Sequence, residues 1–562
     1  MPETRSNPRP ILVGLVLLTL ATLALRLFGI GFGLPHHIEP DSMLVWHAGW
    51  LARPEGAGVG VLCEPDTFYP RLLPWLIAVA PGRSYLEVPP LDAGLAAHLA
   101  ALAAPYLKAR IVIACLSVLA VPATFFLARR FLDARWSLLA AGFYATSLLA
   151  TNFAQQARPH AAMAGLMALG LVLLLRLAER GSWTDYLLAG LGTGCALAGL
   201  HNGAVLLLAL LAAHLLAPRR SWLRLAGALA AVALVSLPAW WTILQRGLES
   251  VQNGVSIGGQ DVTSDRFGGG GFAQIPGCVW SYEPVACVLA LVCVAAWMLR
   301  RVELGPRRRA LLVLLAAFVP FLFVFGMRNV TESRFYVPCM PPLALLAAGG
   351  LAALRLPVLV GALALAPGLF VSAKLAVLRA RGESLGEVAR WIETHADREH
   401  DRIGVQPPFT LPLFARRADL EAMLPPFRNP WERYQLALPG EPPQAWDLCC
   451  IARPEWWRNR RGADGEALFG RADDVAQFAR EERLTLGVAA VPTAPGGTGT
   501  EILAGLARAG ETVLAVHPHD PMRPEISYSA FGLGLHAFER MLLCERWGQP
   551  LEVVRIRPGE SR

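Results

Sequence analysis

The stretch "ILVGLVLLTLATLALRLFGIGFG", residues 11–33, decides the fold class of the chain. It is longer than the roughly 20 apolar residues that an α-helix needs to cross the hydrocarbon core of a bilayer. Arg5 and Arg9 precede it, and no small-residue cleavage pattern follows it. We therefore interpret it as a membrane anchor that stays in the protein rather than as a removable signal peptide.

The rest of the chain has the composition of a polytopic membrane protein. Of its 562 residues, 54% are hydrophobic and 17% are charged, whereas charged residues make up about 25% of soluble domains. Further apolar runs approach the length of a spanning helix. They lie near 106–128, 136–152, 160–178, 186–200, 202–217, 222–242, 284–299, 310–327, 335–354 and 356–377. The sequence thus predicts a polytopic α-helical membrane protein with about eleven transmembrane helices.

Arginine residues alternate between the two sides of this predicted topology. Clusters lie in the loops assigned to the inside, at Arg129-Arg130 with Arg135, Arg176 with Arg180, Arg219-Arg220 with Arg224, and Arg300-Arg301 with Arg307-Arg308-Arg309. Because cytoplasmic loops collect positive charge, we expect a bacterial inner-membrane protein with a cytoplasmic N-terminus. An odd number of spans then places the C-terminal segment outside. The arginines form no aromatic-lined groove, so nucleic acid is not an expected partner.

The chain divides into two predicted domains. Residues 1–380 form the transmembrane domain, whose long external loops are 34–105 and 243–283. From residue 381 the composition changes to one amphipathic helix, "ESLGEVARWIETHAD", and several short strands such as "RIGVQ" and "LTLGVAAV". Residues 381–562 are therefore predicted to form an extracytoplasmic α/β domain.

Four clusters of polar side chains lie at the predicted outer ends of the spans. They are Glu39 and Asp41 in "GLPHHIEPDSMLV" (33–45), Tyr69 and Arg71 in "FYPRLLPW" (68–75), "NFAQQARPH" (152–160) and "RNVTESRFYVP" (328–338). Ionisable groups are costly at membrane depth and indicate function there. Arginine offers a donor fork for phosphate, and a carboxylate can take a proton from a hydroxyl group. The pattern predicts a site for a phosphate-bearing, anionic substrate with a base nearby.

These stretches, with "ARPHAAMAGLMALGLVLLLR" (157–176) and "ESRFYVPCMPPLALLAAG" (332–349), resemble successive motifs of bacterial GT-C membrane glycosyltransferases. That superfamily includes relatives of the protein O-mannosyltransferases and the lipid A aminoarabinose transferases, and the resemblance covers about residues 10–380. It implies transfer of a hexosyl or pentosyl group from a polyprenyl-phosphate carrier to an acceptor at the outer face. It also implies that membrane lipids surround the enzyme, and it leaves open whether the acceptor is a lipid, a glycan or a protein.

The resemblance also implies roles for individual residues. Asp41 matches the aspartate of the family's Pro-Asp-Glu pattern, whereas Ser42 replaces the glutamate and Glu39 lies two positions upstream. In the third motif His160 stands where the family often has aspartate, after Arg158 and Pro159. Arg334 matches an arginine near the carrier phosphate. The candidate substrate-binding residues are Tyr69, Arg71, Arg158, His160, Arg334 and Tyr336.

The expected mechanism assigns one task to each kind of side chain. Asp41, with Glu39 as a candidate assistant, removes the proton from the acceptor hydroxyl group. Arg334, together with Arg71, holds the departing phosphate. The two carboxylates permit a divalent metal ion without requiring one, and the sequence implies no other cofactor.

Other interpretations stay open at this point. Glu39 and Asp41 are also suited to the first turn of a helix that begins near Ser42, where acidic groups favour the helix dipole. Arg158 could simply end a span, and Tyr69 could belong to an interfacial aromatic belt. For the whole chain, the alternatives are a transporter or flippase of a lipid-linked or anionic solute, and a scaffold whose C-terminal domain binds a partner. No internal repeat of the kind typical of transporters is visible in the sequence.

Overall fold

A computed structural model of the chain describes residues 8–36, 43–53, 69–250, 256–257, 260–261, 267–300, 307–407, 409–423, 428–453, 471–491, 500–518 and 536–557. Its first part is helical. The helices are α1 (Pro8–Leu27), α2 (Met43–Ala52), α3 (Leu72–Val79), α4 (Leu95–Val118), α5 (Ala120–Ala128), α6 (Ala134–Ala145), α7 (Leu148–Ala154), α8 (Pro159–Arg180), α9 (Trp183–Gly199), α10 (Val205–Leu216), α11 (Trp222–Ser250), α12 (Gly271–Tyr282), α13 (Pro284–Arg300), α14 (Arg307–Met327), α15 (Met340–Ala353), α16 (Val358–Leu363) and α17 (Ala366–Ala380). Two 3₁₀ helices, His201–Ala204 and Ser333–Cys339, precede α10 and α15.

Every predicted apolar run falls on one or more of these helices. Within the described residues, seven helical segments are long and apolar enough to span a membrane, and two bent pairs raise the number to nine. The pairs are α6 with α7, bent by 52°, and α12 with α13, bent by 116°. The segment His201–Leu216 is apolar but shorter. The predicted class, a polytopic α-helical membrane protein with a C-terminal domain that contains a sheet, is confirmed.

The first span ends earlier than its hydropathy indicates. The apolar run continues to residue 33, but α1 stops at Leu27 and the chain then turns through Gly29 and Gly33, at φ 73° and 67°. Residues with a side chain rarely adopt these left-handed backbone angles, whereas glycine adopts them readily. At Gly29 a Cβ atom would also lie 2.4 Å from the carbonyl oxygen of Ala376 in α17. The turn therefore lets the end of the first span pack against the last one.

The second part of the structure is built on a five-stranded sheet. Its strands are β3 (Arg402–Val405), β4 (Asp447–Cys450), β5 (Leu486–Ala490), β6 (Gly510–Val516) and β7 (Leu551–Ile556), in the order β4-β3-β5-β7-β6. β4, β3 and β5 are parallel, whereas β7 pairs antiparallel with both β5 and β6. A separate two-residue pair, β1 (Ser256–Ile257) and β2 (Gln260–Asp261), lies in the predicted loop 243–283.

The helices of this part cover the faces of the sheet or connect it to the membrane helices. They are α18 (Ser384–His395), α19 (Arg417–Ala422), α20 (Pro430–Leu436), α21 (Ala472–Glu481), α22 (Thr500–Ala509) and α23 (Ala537–Leu543). α18 contributes Val388 and Ile392 to one core, and Val475 of α21 packs with Ile502 of α22 in the other. The alternation of amphipathic helices and short strands along the chain agrees with the sequence pattern. The exact boundary at residue 381 remains a prediction.

The sheet-containing part rests directly on the helical part. Nδ1 of His98, in α4, lies 2.6 Å from the hydroxyl oxygen of Tyr434 in α20. Trp431 and Tyr434 pack in the same hydrophobic core as residues of the membrane helices. On the far side, Nζ of Lys374 donates to the carbonyl oxygen of Leu542 at 2.8 Å. These contacts fix how α20 and α23 face the ends of the spans.

Candidate active site

The segment that carries Glu39 and Asp41 lies outside the described residues, but the chain on both sides of it is described. On the near side, Nη1 of Arg110 donates to the carbonyl oxygens of Ile30 and Phe32, at 2.8 and 2.7 Å. Nε2 of Gln155 donates to the carbonyl oxygen of Phe28 at 2.7 Å. The end of the first span is therefore held by side chains of α4 and of the α7–α8 connection.

The ring of Phe32 lies between two guanidinium groups. The guanidinium carbon of Arg110 is 4.4 Å from the ring centroid, and that of Arg379 is 3.9 Å away. Arg379 is in turn held by the side-chain oxygens of Asn152 and Gln155, at 2.6 and 2.7 Å. Cation–π contacts strengthen when they are desolvated, and both arginines are buried. Arg110 and Arg379 are not among the residues predicted from the motifs, although a charged residue within an apolar run is a signal of function.

The C-terminal part completes this frame. His36 forms an ion pair with Glu383, and their side chains are only 9% and 5% exposed. The ring of Trp547 meets Phe32 edge-on at 5.7 Å, and the guanidinium group of Arg379 lies 4.5 Å from the Trp547 ring centroid. The chain that enters the predicted catalytic segment is thus fixed by both parts of the protein.

The chain that leaves the predicted catalytic segment is also anchored. α2 begins at Met43, and Nε1 of Trp46 donates to the hydroxyl oxygen of Tyr106 at 2.8 Å. The guanidinium carbon of Arg433, in α20, is 5.9 Å from the Trp46 ring centroid. On the two sides of residues 37–42, His36 and Trp46 therefore both contact the sheet-containing part.

A second group brings three of the predicted site residues together, and a fourth, Tyr336, follows one of them by two positions along the chain. Arg158 precedes α8, and Pro159 and His160 begin it, as expected for proline at the first helical position. His160 meets the ring of Phe335 edge-on at 5.4 Å, and both Arg158 and Arg334 lie close enough to act electrostatically on its imidazole. The positive N-terminal end of the α8 dipole and two guanidinium groups thus lie near His160.

Within that group, Arg334 and Tyr336 differ in exposure. Arg334 forms an ion pair with Glu332, whose side chain is 52% exposed, and its guanidinium carbon is 5.1 Å from the Phe335 ring centroid. Tyr336 is fully buried and its hydroxyl group bonds to that of Thr331. The side chain of Arg334 is 17% exposed, whereas Tyr336 is shielded from solvent, and the substrate-binding roles of both residues stay predictions.

Tyr69 and Arg71 belong to a third group, beside α9 and α11. The ring of Tyr69 is 6.5 Å from that of His201, which meets Trp240 edge-on at 5.0 Å. The backbone N–H of Arg71 donates to the carbonyl oxygen of Ala239 at 2.9 Å. Arg71 is thus held against α11 through its backbone, and Tyr69 lies beside the 3₁₀ helix that contains His201.

The described residues contain no group of three or more His, Cys, Asp or Glu side chains that could hold a metal ion. Glu39 and Asp41 lie outside that part of the chain. A divalent metal ion at these two carboxylates therefore stays a prediction.

A family of membrane glycosyltransferases matches one segment of the chain. Residues 87–243 match the family model described as dolichyl-phosphate-mannose-protein mannosyltransferase. No curated protein sequence matches the chain.

Solved structures resemble the chain along most of its length. ArnT from Cupriavidus metallidurans bound to undecaprenyl phosphate has 14% sequence identity and a TM-score of 0.46, with 98% of each chain covered. The Archaeoglobus fulgidus oligosaccharyltransferase in the apo form has 13% identity and a TM-score of 0.44, covering 90% of this chain and 73% of that chain. The mycobacterial arabinofuranosyltransferase AftD has 16% identity and a TM-score of 0.42, covering 100% of this chain and 42% of that chain. Residues 87–243 are thus similar to the dolichyl-phosphate-mannose-protein mannosyltransferases, and over this segment the resemblance expected from the sequence motifs is confirmed.

Proposed function

We propose that the protein transfers a sugar from a polyprenyl-phosphate-linked donor to a hydroxyl-bearing acceptor, at the membrane face that carries the C-terminal domain. The match of residues 87–243 to a family that uses a lipid-phosphate sugar supports this reaction class. The proposal assigns that face to the extracytoplasmic side of the membrane, as the arginine distribution favours.

The observation that carries the proposal is the way the segment 152–160 joins two groups of residues. At its start, Asn152 and Gln155 hold Arg379 and the end of the first span. At its end, Arg158 and His160 lie with Arg334 at the N-terminus of α8. The same short segment thus supports the approach to the predicted base, Asp41, and the predicted phosphate-binding group.

The charge balance of the reaction explains why the cations are needed. The acceptor oxygen forms a bond with the anomeric carbon, and the bond from that carbon to the phosphate oxygen breaks. The leaving polyprenyl phosphate gains one negative charge, which Arg334 and Arg158 stabilise where it develops. The acceptor proton passes to Asp41, and positioned general-base catalysis of this kind typically contributes about 10²–10⁴-fold in rate.

One experiment distinguishes sugar transfer from the movement of a lipid carrier by a flippase. Purified protein in liposomes is supplied with a polyprenyl-phosphate donor whose sugar is radiolabelled, together with a membrane extract as the acceptor source. Carrier-dependent appearance of label on another molecule supports transfer. Movement of the labelled carrier between leaflets with its sugar–phosphate bond intact would instead establish the transporter reading.

A further inference from the structure

A small cavity lies at the carboxyl ends of β3 and β4 in the C-terminal domain. Val405 ends β3 and pairs with Cys450, which ends β4, and both residues line the cavity. β3 is parallel to both β4 and β5, so the carboxyl ends of these three strands lie at the same edge of the sheet. Crevices at such a point, outside the carboxyl ends of parallel strands, are where open α/β sheets bind ligands.

The walls of the cavity are mostly apolar and partly aromatic. Phe409, Leu411 and Leu413 lie on one side, and Trp431 of α20 lies on another. The cavity volume is about 30 Å³, and a water-sized group needs roughly 10–15 Å³ by this measure. The space therefore suits the end of a ligand rather than a whole sugar or lipid.

One carboxyl group faces this apolar space. Glu432 is 5% exposed and lines the cavity. One interaction of its side chain is with Thr410, while its Oε2 atom has no hydrogen-bond partner among the residues that the structure describes. Burial raises the pKa of Glu432 to about 7, against the effect of its hydrogen bonds. A buried carboxyl oxygen without a donor is costly, and a donor supplied by a ligand would remove that cost.

The charges around Glu432 indicate which donor is missing. His36 lies near enough to act electrostatically on Glu432, and its Nε2 atom also contacts the carboxyl group of Glu383. Two buried carboxyl groups, of Glu432 and Glu383, therefore lie near one imidazole group. A further cation would balance this arrangement, and aromatic walls beside a carboxylate are the chemistry that recognises ammonium groups.

We propose that this cavity binds the ammonium end of an alkylamine ligand. Glu432 pairs with the ammonium group, and the side chains of Phe409, Leu411 and Trp431 enclose its alkyl stem. The ligand would lie near His36, the last described residue before the segment that carries Glu39 and Asp41. The proposal for this cavity does not depend on the transfer reaction, and amine binding can be tested without measuring sugar transfer.

Titration calorimetry on the full-length protein in detergent tests the site with two probes of matched shape, n-butylammonium and n-butanol. The wild-type protein should bind the amine at a single site, at least about tenfold more tightly than the alcohol, because hydrogen bonds to charged groups are stronger than neutral ones. This comparison needs no variant. Absence of saturable amine binding, or equal binding of the two probes, would overturn the proposal.

Three substitutions assign the preference to one side chain. Glu432→Gln should bring amine binding to within about twofold of alcohol binding, whereas Glu432→Asp, which keeps the charge, should retain part of the preference. Glu393→Gln, which removes an exposed carboxylate of α18 in the same domain, is the matched control and should leave binding unchanged. An unchanged preference in folded Glu432→Gln, or an equal loss in Glu393→Gln, would contradict the assignment.

Discussion

The guanidinium carbon of Arg379, at the end of the last span, lies 3.9 Å from the ring centroid of Phe32, just past the end of the first span. Arg110 covers the ring of Phe32 as well, at 4.4 Å. These contacts join the first and last membrane helices at the point where the chain enters the segment of Glu39 and Asp41. Precise placement of a catalytic base requires such a rigid support, because small displacements of a reacting group reduce rates strongly.

Replacing Arg379 should therefore impair transfer without removing a group that touches the substrate. Arg379→Gln loses the stacking on Phe32 and Trp547, and we expect kcat to fall by at least about tenfold with a small change in donor KM. Arg390→Gln, at an exposed position of α18, is the control. Steady-state kinetics with a labelled donor measure both constants. A purely raised KM for the donor would indicate that Arg379 binds substrate instead.

The ion pair between His36 and Glu383 should couple the two parts of the protein. Breaking a buried pair leaves its partner uncompensated, so each of His36→Gln and Glu383→Gln should destabilise the protein by about 3–5 kcal/mol. The double variant should cost clearly less than the sum of the single ones, because both act through one contact. Thermal unfolding in detergent measures the three variants. Strict additivity would show that the two side chains do not stabilise each other.

Arg334 should contribute to catalysis through its charge and through its donor fork. Arg334→Gln should lower kcat by about 10²–10³-fold, the usual loss when one donor to a developing anion is removed. Arg334→Lys should recover only part of this, because lysine is a point charge without the planar fork. Arg381→Gln, an exposed arginine just after α17, should keep wild-type rates. Full activity of Arg334→Gln would remove Arg334 from the phosphate site.

Glu432 should give the protein a stability that depends on pH. The folded protein holds this proton up to pH about 7, whereas the unfolded chain releases it near the ordinary value of 4.5. Between these values the folded state binds more protons, so stability falls as the pH rises, by up to about 3 kcal/mol. Unfolding temperatures measured from pH 4.5 to 8 should show this decline, and Glu432→Gln should flatten it. An identical slope in both proteins would rule out the shifted titration.

Much of the architecture could be predicted because membrane helices and amphipathic helices leave direct periodic and hydropathic signals. The apolar runs located the helices, and "RIGVQ" and "LTLGVAAV" located β3 and β5. The apolar run predicts that the first span ends at residue 33, whereas α1 ends at Leu27. Hydropathy does not reveal the turn at Gly29, where the chain packs closely against α17.

The roles assigned to the candidate site residues stay predictions, and the structure shows where the described ones lie. Motif order singled out Arg158, His160 and Arg334, and the structure brings them together. Tyr69 and Arg71 lie beside α9 and α11 in a group of their own, since no local pattern specifies which helices meet. Arg110 and Arg379 depend on contacts between residues more than 70 positions apart along the chain, which no single motif can reveal.

The role of Asp41 is the central claim, and the transfer rate of Asp41→Asn tests it most directly. Asn keeps the size of the side chain but cannot accept the acceptor proton, so carrier-dependent transfer should fall by about 10²–10⁴-fold. The variant should elute and unfold like the wild-type protein, and the nearby Glu39→Gln is the matched control, with a much smaller loss expected. A folded Asp41→Asn protein that transfers sugar at the wild-type rate would contradict the account.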